Sequence, residues 1–343
     1  MGTPAAKGGE AKGNFILISP EHKVLGTWTD GNTDGTEFGY DFWYQPRLGV
    51  MVSTGWGAPN AFSKGFNPAD VAAGKYNSAI WFWDWNKRKV MEKVDLGEEG
   101  MIPLEVRFLH EPSAPHGYVG CALSSNVVHF TIDQDKKKRE KEKEGGEEWL
   151  GWKTNVAIKQ PHLTVENWAL PSLPPLITDI LISMDDNYLF FSNWLRGDVC
   201  MYSLKEDPAH PKFVSRIWLG GVVRKGSRVT VIDGLPDGVT EIPAAPVLKG
   251  GKELQGGPQM LQLSLDGKRL YVTNSLYTPW DGQFYPEMVK RGGYLIQVDV
   301  NTEKGELKLN EEFFVDFGEE PGGAALVHEV RYPGGDCSSD IWV

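Results

Sequence analysis

Self-similarity constrains this chain more than any other feature. The segments ILISMDDNYLFFSN (180–193) and LQLSLDGKRLYVTN (261–274) align without a gap, and their Ser, Asp and closing Asn coincide. An earlier stretch, DFWYQPRLGVMVSTGW (41–56), superposes on DILISMDDNYLFFSNW (179–194) with Asp over Asp and Trp over Trp. EVRFLHEP (105–112) and EVRYPGGD (329–336) share their first three residues and then an aromatic. Repeat starts therefore fall at about 41, 105, 179, 260 and 329. A spacing of roughly 60 to 80 residues exceeds a WD40 repeat but accommodates four strands with one long insertion, the unit of a β-propeller blade.

The local signals agree. Runs such as AIWFWDW (79–85), YLFFSNW (188–194) and RLYVTNS (269–275) are rich in aromatic and β-branched residues, and turn pairs such as Asp186-Asn187 and Asp266-Gly267 separate them. Long amphipathic helical patterns are absent, and the 40 Gly and 22 Pro favour short strands and tight turns. The expected fold is all-β, a β-propeller. Four whole units are expected at roughly 38–100, 101–170, 171–222 and 256–318, with partial blades at both ends. Residues 1–13 read as a flexible N-terminal segment, 14–343 as an incomplete propeller domain, and 132–149 as a charged, solvated insertion. The Gly/Pro-rich stretch 220–257 reads as a long connection between blades. If nothing precedes Met1, the partial blades either pair into a strained five-bladed ring or leave open strand edges and apolar faces that invite aggregation or a protein partner, and the second outcome is expected.

A formal net charge of -11 argues against nucleic acid as a partner, since phosphate recognition calls for clustered positive charge. No apolar run approaches the roughly 18 residues that span a bilayer, and the opening MGTPAAKGGEAKGN has no apolar signal centre. No integral membrane association is expected, and a cytosolic (cytoplasmic) protein is. The three cysteines, Cys121, Cys200 and Cys337, are far apart and never form a C-x-x-C pair, so neither a disulfide framework nor a Cys-rich zinc site is written here.

Several blocks carry a family likeness. GYDFWYQPR (39–47), GFNPADV (65–71), PLEVRFLHEP (103–112), GYVGCALSS (117–125), LITDILISMDD (176–186), FFSNWLRGD (190–198), GGPQMLQLSLDGKRLYVTNSLY (256–277), WDGQFYP (280–286) and HEVRYPGGDCSSDIW (328–342) resemble the selenium-binding protein, or methanethiol oxidase, family in order and wording. The resemblance implies a seven-bladed cytosolic propeller that binds selenium and oxidises methanethiol to formaldehyde, hydrogen sulfide and hydrogen peroxide at a copper site. It also implies metal-binding histidines from three motifs. Of these, the His-His-Ser-Gly-Trp and His-x-Lys-Cys segments are missing here, and the His-Glu-x-Arg block is present as His328. The family's Cys-x-x-Cys motif is missing too, so the chain reads as an N-terminally truncated member with little or no catalysis by itself.

The catalytic residues stay unassigned; the ligand candidates follow from the repeat and the resemblance together. His328 opens a repeat and is the first candidate for metal, with His110, in a segment that copies that block, as the second. The other five histidines, at 22, 116, 129, 162 and 210, are expected in turns or outer strands facing solvent. Asp41, Glu105, Asp179 and Glu329 share one repeat position, which would either ring one end of a channel with carboxylates or cap each strand through backbone N–H groups. Cys337 is the candidate for selenium or a small thiol, against a structural role. Two readings without catalysis stand beside the oxidase: a selenium- and thiol-binding propeller, and an interaction scaffold.

Overall fold

The computed structural model describes residues 13–29, 35–135, 151–248 and 251–331. The chain divides into two compact units, one made of residues 1–121 and 127–156, the other of residues 122–126 and 157–343. The N-terminal segment, most of the charged insertion and the Cys337 segment lie outside the described residues.

The inner strands of the first unit, such as β4, β5 and β7, have both faces buried. Strands β1 (Ile16–Ile18) and β2 (Val24–Thr27) form a hairpin. They are followed by β3 (Gly39–Gln45), β4 (Val50–Gly55), β5 (Ala79–Asp84) and β6 (Lys89–Asp95), an antiparallel sheet in sequence order. A second such sheet comprises β7 (Pro103–Phe108), β8 (His116–Cys121), β9 (Asn126–Ile132) and β10 (Trp152–Lys159). Side chains alternate across a strand, so the unbroken apolar run of β5 serves two cores. Ile80 and Phe82 face the neighbouring sheet, where Phe82 stacks on Trp152 at 4.2 Å between ring centroids. Trp81 and Trp83 face the other way, with Trp28 and Phe15 of the hairpin. The hairpin's far side leaves Ile16, Ile18, Val24 and Leu25 exposed.

The second unit repeats the plan. One sheet runs β13 (Ile177–Ile182), β14 (Tyr188–Asn193), β15 (Asp198–Ser203) and β16 (Lys212–Trp218). The other runs β18 (Leu261–Leu263), β19 (Arg269–Val272), β20 (Tyr294–Asn301) and β21 (Glu306–Asp316). The two share one core, to which Phe190, Val199 and Met201 contribute from the first, and Leu270, Val272 and Ile296 from the second. The repeated Ser and Asp do the same work in both hairpins. Asp185 Oδ1 accepts from the Ser183 hydroxyl and the Asn187 N–H, and Asp266 Oδ1 from Ser264 and the Lys268 N–H. Consecutive four-stranded antiparallel meanders packed face to face make the protein all-β and of the β-propeller class.

The stretch 220–257 holds more than a connection. Its strand β17 (Thr230–Asp233) joins β11 (Leu163–Glu166) and β12 (Ser172–Leu173) in a three-stranded sheet. β17 is short and mostly exposed, so it lacks the apolar periodicity that would mark it in the sequence. The helices α1 (Pro59–Phe62), α2 (Pro68–Ala72), α3 (Thr278–Phe284) and α4 (Pro286–Arg291) are short and carry a proline as first residue, or as second (Pro279) in α3, where its missing N–H costs nothing. No helix among the described residues is long and apolar enough to cross a membrane.

Neighbouring sheets are stapled at their first strands. Thr54 on β4 donates to the Leu104 carbonyl at 2.6 Å, and Asp41 on β3 accepts the Val106 N–H at 2.9 Å. In the second unit Ser192 donates to the Gln259 carbonyl at 2.6 Å, and Asp179 accepts the Leu261 N–H at 2.6 Å. A buried N–H left without an acceptor costs its full desolvation. Asp179→Ala is therefore expected to destabilise the protein by about 2–3 kcal/mol, read as a clear fall in melting temperature. Glu329→Ala, on an exposed side chain, is expected to leave the melt unchanged; equal melting of the two variants would contradict the staple.

Candidate functional site

The repeat register places His328. Thr273 stands where Thr54 and Ser192 stand, and its hydroxyl donates to the His328 carbonyl, so His328 occupies the position of Leu104 and Gln259. Its segment runs extended beside the preceding sheet: Gly293 N–H bonds the Ala325 carbonyl at 2.8 Å and Ser275 N–H the Val327 carbonyl at 3.2 Å. The His328 ring is fixed from one side, with Nδ1 donating to the Ser275 carbonyl at 3.0 Å. A carbonyl can only accept, so Nδ1 carries the proton and Nε2 of the neutral ring holds a lone pair. This is the posture of a metal-ligating histidine, whose second nitrogen is usually held by a carbonyl or carboxylate.

Ser275 also links His328 to an acid that the sequence reading did not single out. The Ser275 hydroxyl donates to Asp281 Oδ2 at 2.7 Å, and the Leu276 N–H to Oδ1 at 2.9 Å. Asp281 lies on α3, fully buried. Burial pushes its carboxyl up, against these hydrogen bonds and the nearby His328, which pull it down. The available signal was a single acid inside the aromatic run WDGQFYP.

The four repeat-position acids divide between the units. In the first, Arg107 sits between two of them, with Nη1 2.7 Å from Asp41 Oδ2 and Nη2 2.9 Å from Glu105 Oε2. Its guanidinium also lies over the Trp43 ring, 4.7 Å from the centroid. In the second unit Asp179 binds the Leu261 N–H, while Glu329 pairs with Arg331 at 2.6 Å in solvent. Asp41 and Asp179 thus cap the first strand of the following sheet, which differs from the expected cap of their own strand and leaves the alternative of a channel ring untouched. His110 is half-buried, just beyond the end of β7.

The expectation that His116 and His129 face solvent is corrected. His129 is fully buried and His116 half-buried. Their Nδ1 and Nε2 atoms meet at 2.9 Å, and His129 Nδ1 reaches Asn155 Oδ1 at 2.9 Å. Alternation on β8 and β9 turns both rings to the same side, as one residue on each of two paired strands can do.

A second polar centre lies around Asp198, wholly buried on β15. Its carboxylate takes Arg196 Nε at 2.7 Å, Arg216 Nε at 2.7 Å and the Cys200 thiol at 3.2 Å. Burial alone would raise the Asp198 carboxyl, but the two guanidiniums outweigh it and hold it below the usual range. That contribution to stability is complete above the ordinary carboxylate value near pH 4 and is lost as pH falls through the depressed value. Cys200 is pushed up to about 12 by burial and by Asp198, and burial pushes Cys121 up as well. Gly197 stands just before β15 at φ +96°, and a Cβ there would stand 2.0 Å from the Gly220 carbonyl oxygen, so only glycine lets the two segments meet.

Meandering four-stranded sheets, each stapled through its first two strands to the start of the next, define a propeller, and a histidine in ligand posture at the last staple gives it a candidate site. The sequence matches the 56 kDa selenium binding protein (SBP56) family over residues 2–343. It is 54% identical to a methanethiol oxidase of Xenopus tropicalis, covering 98% of this chain and 67% of that protein. It is 51% identical to selenium-binding protein 2 of Arabidopsis thaliana, covering 98% of this chain and 66% of that protein. The solved structure of a hypothetical selenium-binding protein from Sulfolobus tokodaii superposes with a TM-score of 0.78 at 32% identity, over 98% of this chain and 66% of that one. The chain belongs to the selenium-binding protein family and spans about two thirds of the length of these relatives.

The buried thiols give a direct check. Native protein at pH 8 is expected to react with a disulfide reagent such as Ellman's at no more than one of its three cysteines, and at all three once unfolded. Fast modification of Cys121 or Cys200 in the native state would contradict their burial.

Proposed function

We propose that the activity in which this cytosolic protein shares is its family's copper-dependent oxidation of methanethiol, with His328 as one metal ligand, and that these 343 residues by themselves retain little or no catalysis. The reaction balances as methanethiol plus dioxygen plus water giving formaldehyde, hydrogen sulfide and hydrogen peroxide. The observation that carries this reading is the Nδ1 hydrogen bond to the Ser275 carbonyl, which leaves His328 Nε2 with its lone pair free to bind a metal. Relatives bearing the name methanethiol oxidase support the substrate.

The residues test the metal as follows. Imidazole suits copper, and a copper centre takes three or four ligands. Among the described residues no three His, Cys, Asp or Glu side chains come together to hold an ion. His328 accordingly fits as one ligand, and the described residues do not complete the set. As a 343-residue polypeptide the protein is expected to turn methanethiol over on the order of 100-fold or more below the Xenopus tropicalis relative. Turnover at the relative's level would defeat this account of the site. Copper added to the polypeptide is expected to show nitrogen coupling in its electron paramagnetic resonance spectrum, lost in His328→Ala; an unchanged spectrum would remove His328 from the site.

Selenium binding rests on a different residue. With Cys121 and Cys200 buried and their thiols pushed up, selenite or a small selenol has no reactive thiolate in either. Cys337, outside the described residues, is the proposed selenium and thiol site. Cys337→Ser is expected to abolish selenium retention, and the Cys121→Ser/Cys200→Ser pair to keep it. The reverse outcome would assign selenium to the interior.

A further inference from the structure

We propose that the cleft beside β15 and β16 is a binding site for a small monocarboxylate with an aromatic or aliphatic body, separate from the His328 site. The cleft has a volume of about 520 Å3 and is lined in part by Gln160, Tyr202, Phe213 and Arg216. That is the size of ordinary small-molecule sites.

The argument starts from the direction of the hydrogen bonds. A guanidinium can only donate, so Arg196 Nη2, 2.6 Å from Gln160, makes the amide oxygen the acceptor. Gln160 Nε2 must then donate, and it does so to the Tyr202 oxygen at 3.0 Å. Tyr202 has accepted from the protein, and its own hydrogen finds no acceptor among the described residues. Burial pushes the Tyr202 hydroxyl up to about 12, so it stays protonated and keeps that hydrogen to donate. The chain of bonds from the interior therefore ends as a donor on the wall of the cleft.

Charge points the same way. Two guanidiniums, Arg196 and Arg216, share the single carboxylate of Asp198, and side-chain exposures of 0%, 9% and 0% keep all three out of bulk water. Arg196 Nη1 is buried with no hydrogen-bond partner, so the surplus positive charge is not met inside. Arg216 spends its Nε on Asp198 and lies over the Phe213 and Trp218 rings, 5.1 and 5.9 Å from their centroids. Its two Nη atoms have no oxygen acceptor among the described residues. Paired Nη donors match the two oxygens of a planar carboxylate.

The remaining wall selects the rest of the ligand. Phe213 is half exposed, and with Pro161 and Pro236 it offers an apolar surface for the body. Asp237 also lines the cleft. A carboxylate there opposes a doubly charged anion more than a singly charged one, which favours a monocarboxylate over phosphate.

Benzoate titrated into the protein by calorimetry tests this, with benzyl alcohol and inorganic phosphate as comparisons. One benzoate per chain is expected to bind, with benzyl alcohol and phosphate at least about tenfold weaker. Arg216→Lys keeps the charge and loses the fork, and Tyr202→Phe removes only the hydroxyl; each is expected to weaken benzoate about tenfold. Phe213→Ala, at an exposed position, is expected to weaken it several-fold and serves if Arg216→Lys fails to fold. No benzoate binding at millimolar concentration, phosphate binding as tightly as benzoate, or undiminished binding in both Tyr202→Phe and Phe213→Ala would overturn the proposal. None of these readouts depends on copper or methanethiol, so failure here and failure of the oxidase reading are distinct.

Discussion

The structure depends on one contact made between neighbouring sheets. A hydroxyl on or just after the second strand of one sheet bonds a carbonyl of the segment that follows: Thr54 to Leu104 on β7, Ser192 to Gln259 just before β18, and Thr273 to His328. In two of the three cases an acid on the first strand completes the staple two residues further on. The third lacks that acid, because Met260 stands where Asp41 and Asp179 stand. First strands lie at the edges of their sheets, so half of their backbone groups have no ladder partner, and buried backbone groups must be satisfied somehow. Short polar side chains do this without a further strand. They also fix each sheet's register against the next, which is how a repeated Thr or Ser comes to determine where His328 stands.

The buried ions follow a different logic. Taking Asp198, Arg196 and most of Arg216 out of water is costly, and only close pairing compensates for it. Removing one partner from such a set costs about 3–5 kcal/mol, since a charge is left alone in the interior. Burial first, and then the Asp198 carboxylate of this cluster, silences Cys200. Its thiol donates to Asp198, and forming a thiolate beside that carboxylate would set two negative charges 3.2 Å apart in a dry environment. The guanidiniums act against this and lose. A cysteine within reach of two arginines is thereby unreactive, contrary to what sequence proximity to Arg196 suggests.

Much of the fold was legible because its signals are local. The Ser-x-Asp turns, the apolar runs of β5 and β14 and the repeated closing Asn all act within a few residues, so they stand out in the text. The functional surroundings were harder to read because they are assembled across long separations. His129 is buried by Asn155 and His116, on three different strands, and nothing near position 129 announces it. Arg107 bonds Glu105 nearby and Asp41 66 residues away, so two acids of the shared repeat position form a compensated cluster. The family likeness found the His328 block, but Asp281, held to it through Ser275, lies in another block and emerges only when the two segments are adjacent.

Hydrogen-bond direction links the two proposed sites. At His328 a carbonyl, which can only accept, sits at one end and leaves Nε2 of the neutral ring as an acceptor. At the cleft a guanidinium, which can only donate, begins a relay through Gln160 and leaves Tyr202 as a donor. The first arrangement suits a cation, the second an anion. Neither polarity is a property of the histidine or tyrosine alone, since imidazole and phenol can each play both parts. A group of fixed hydrogen-bonding sense, buried or held in the backbone, decides the sense of the group that meets the ligand. At the cleft, substituting Arg196 would therefore change what the site accepts without touching Tyr202, whereas the Ser275 carbonyl at His328 is backbone and persists whatever side chain stands there.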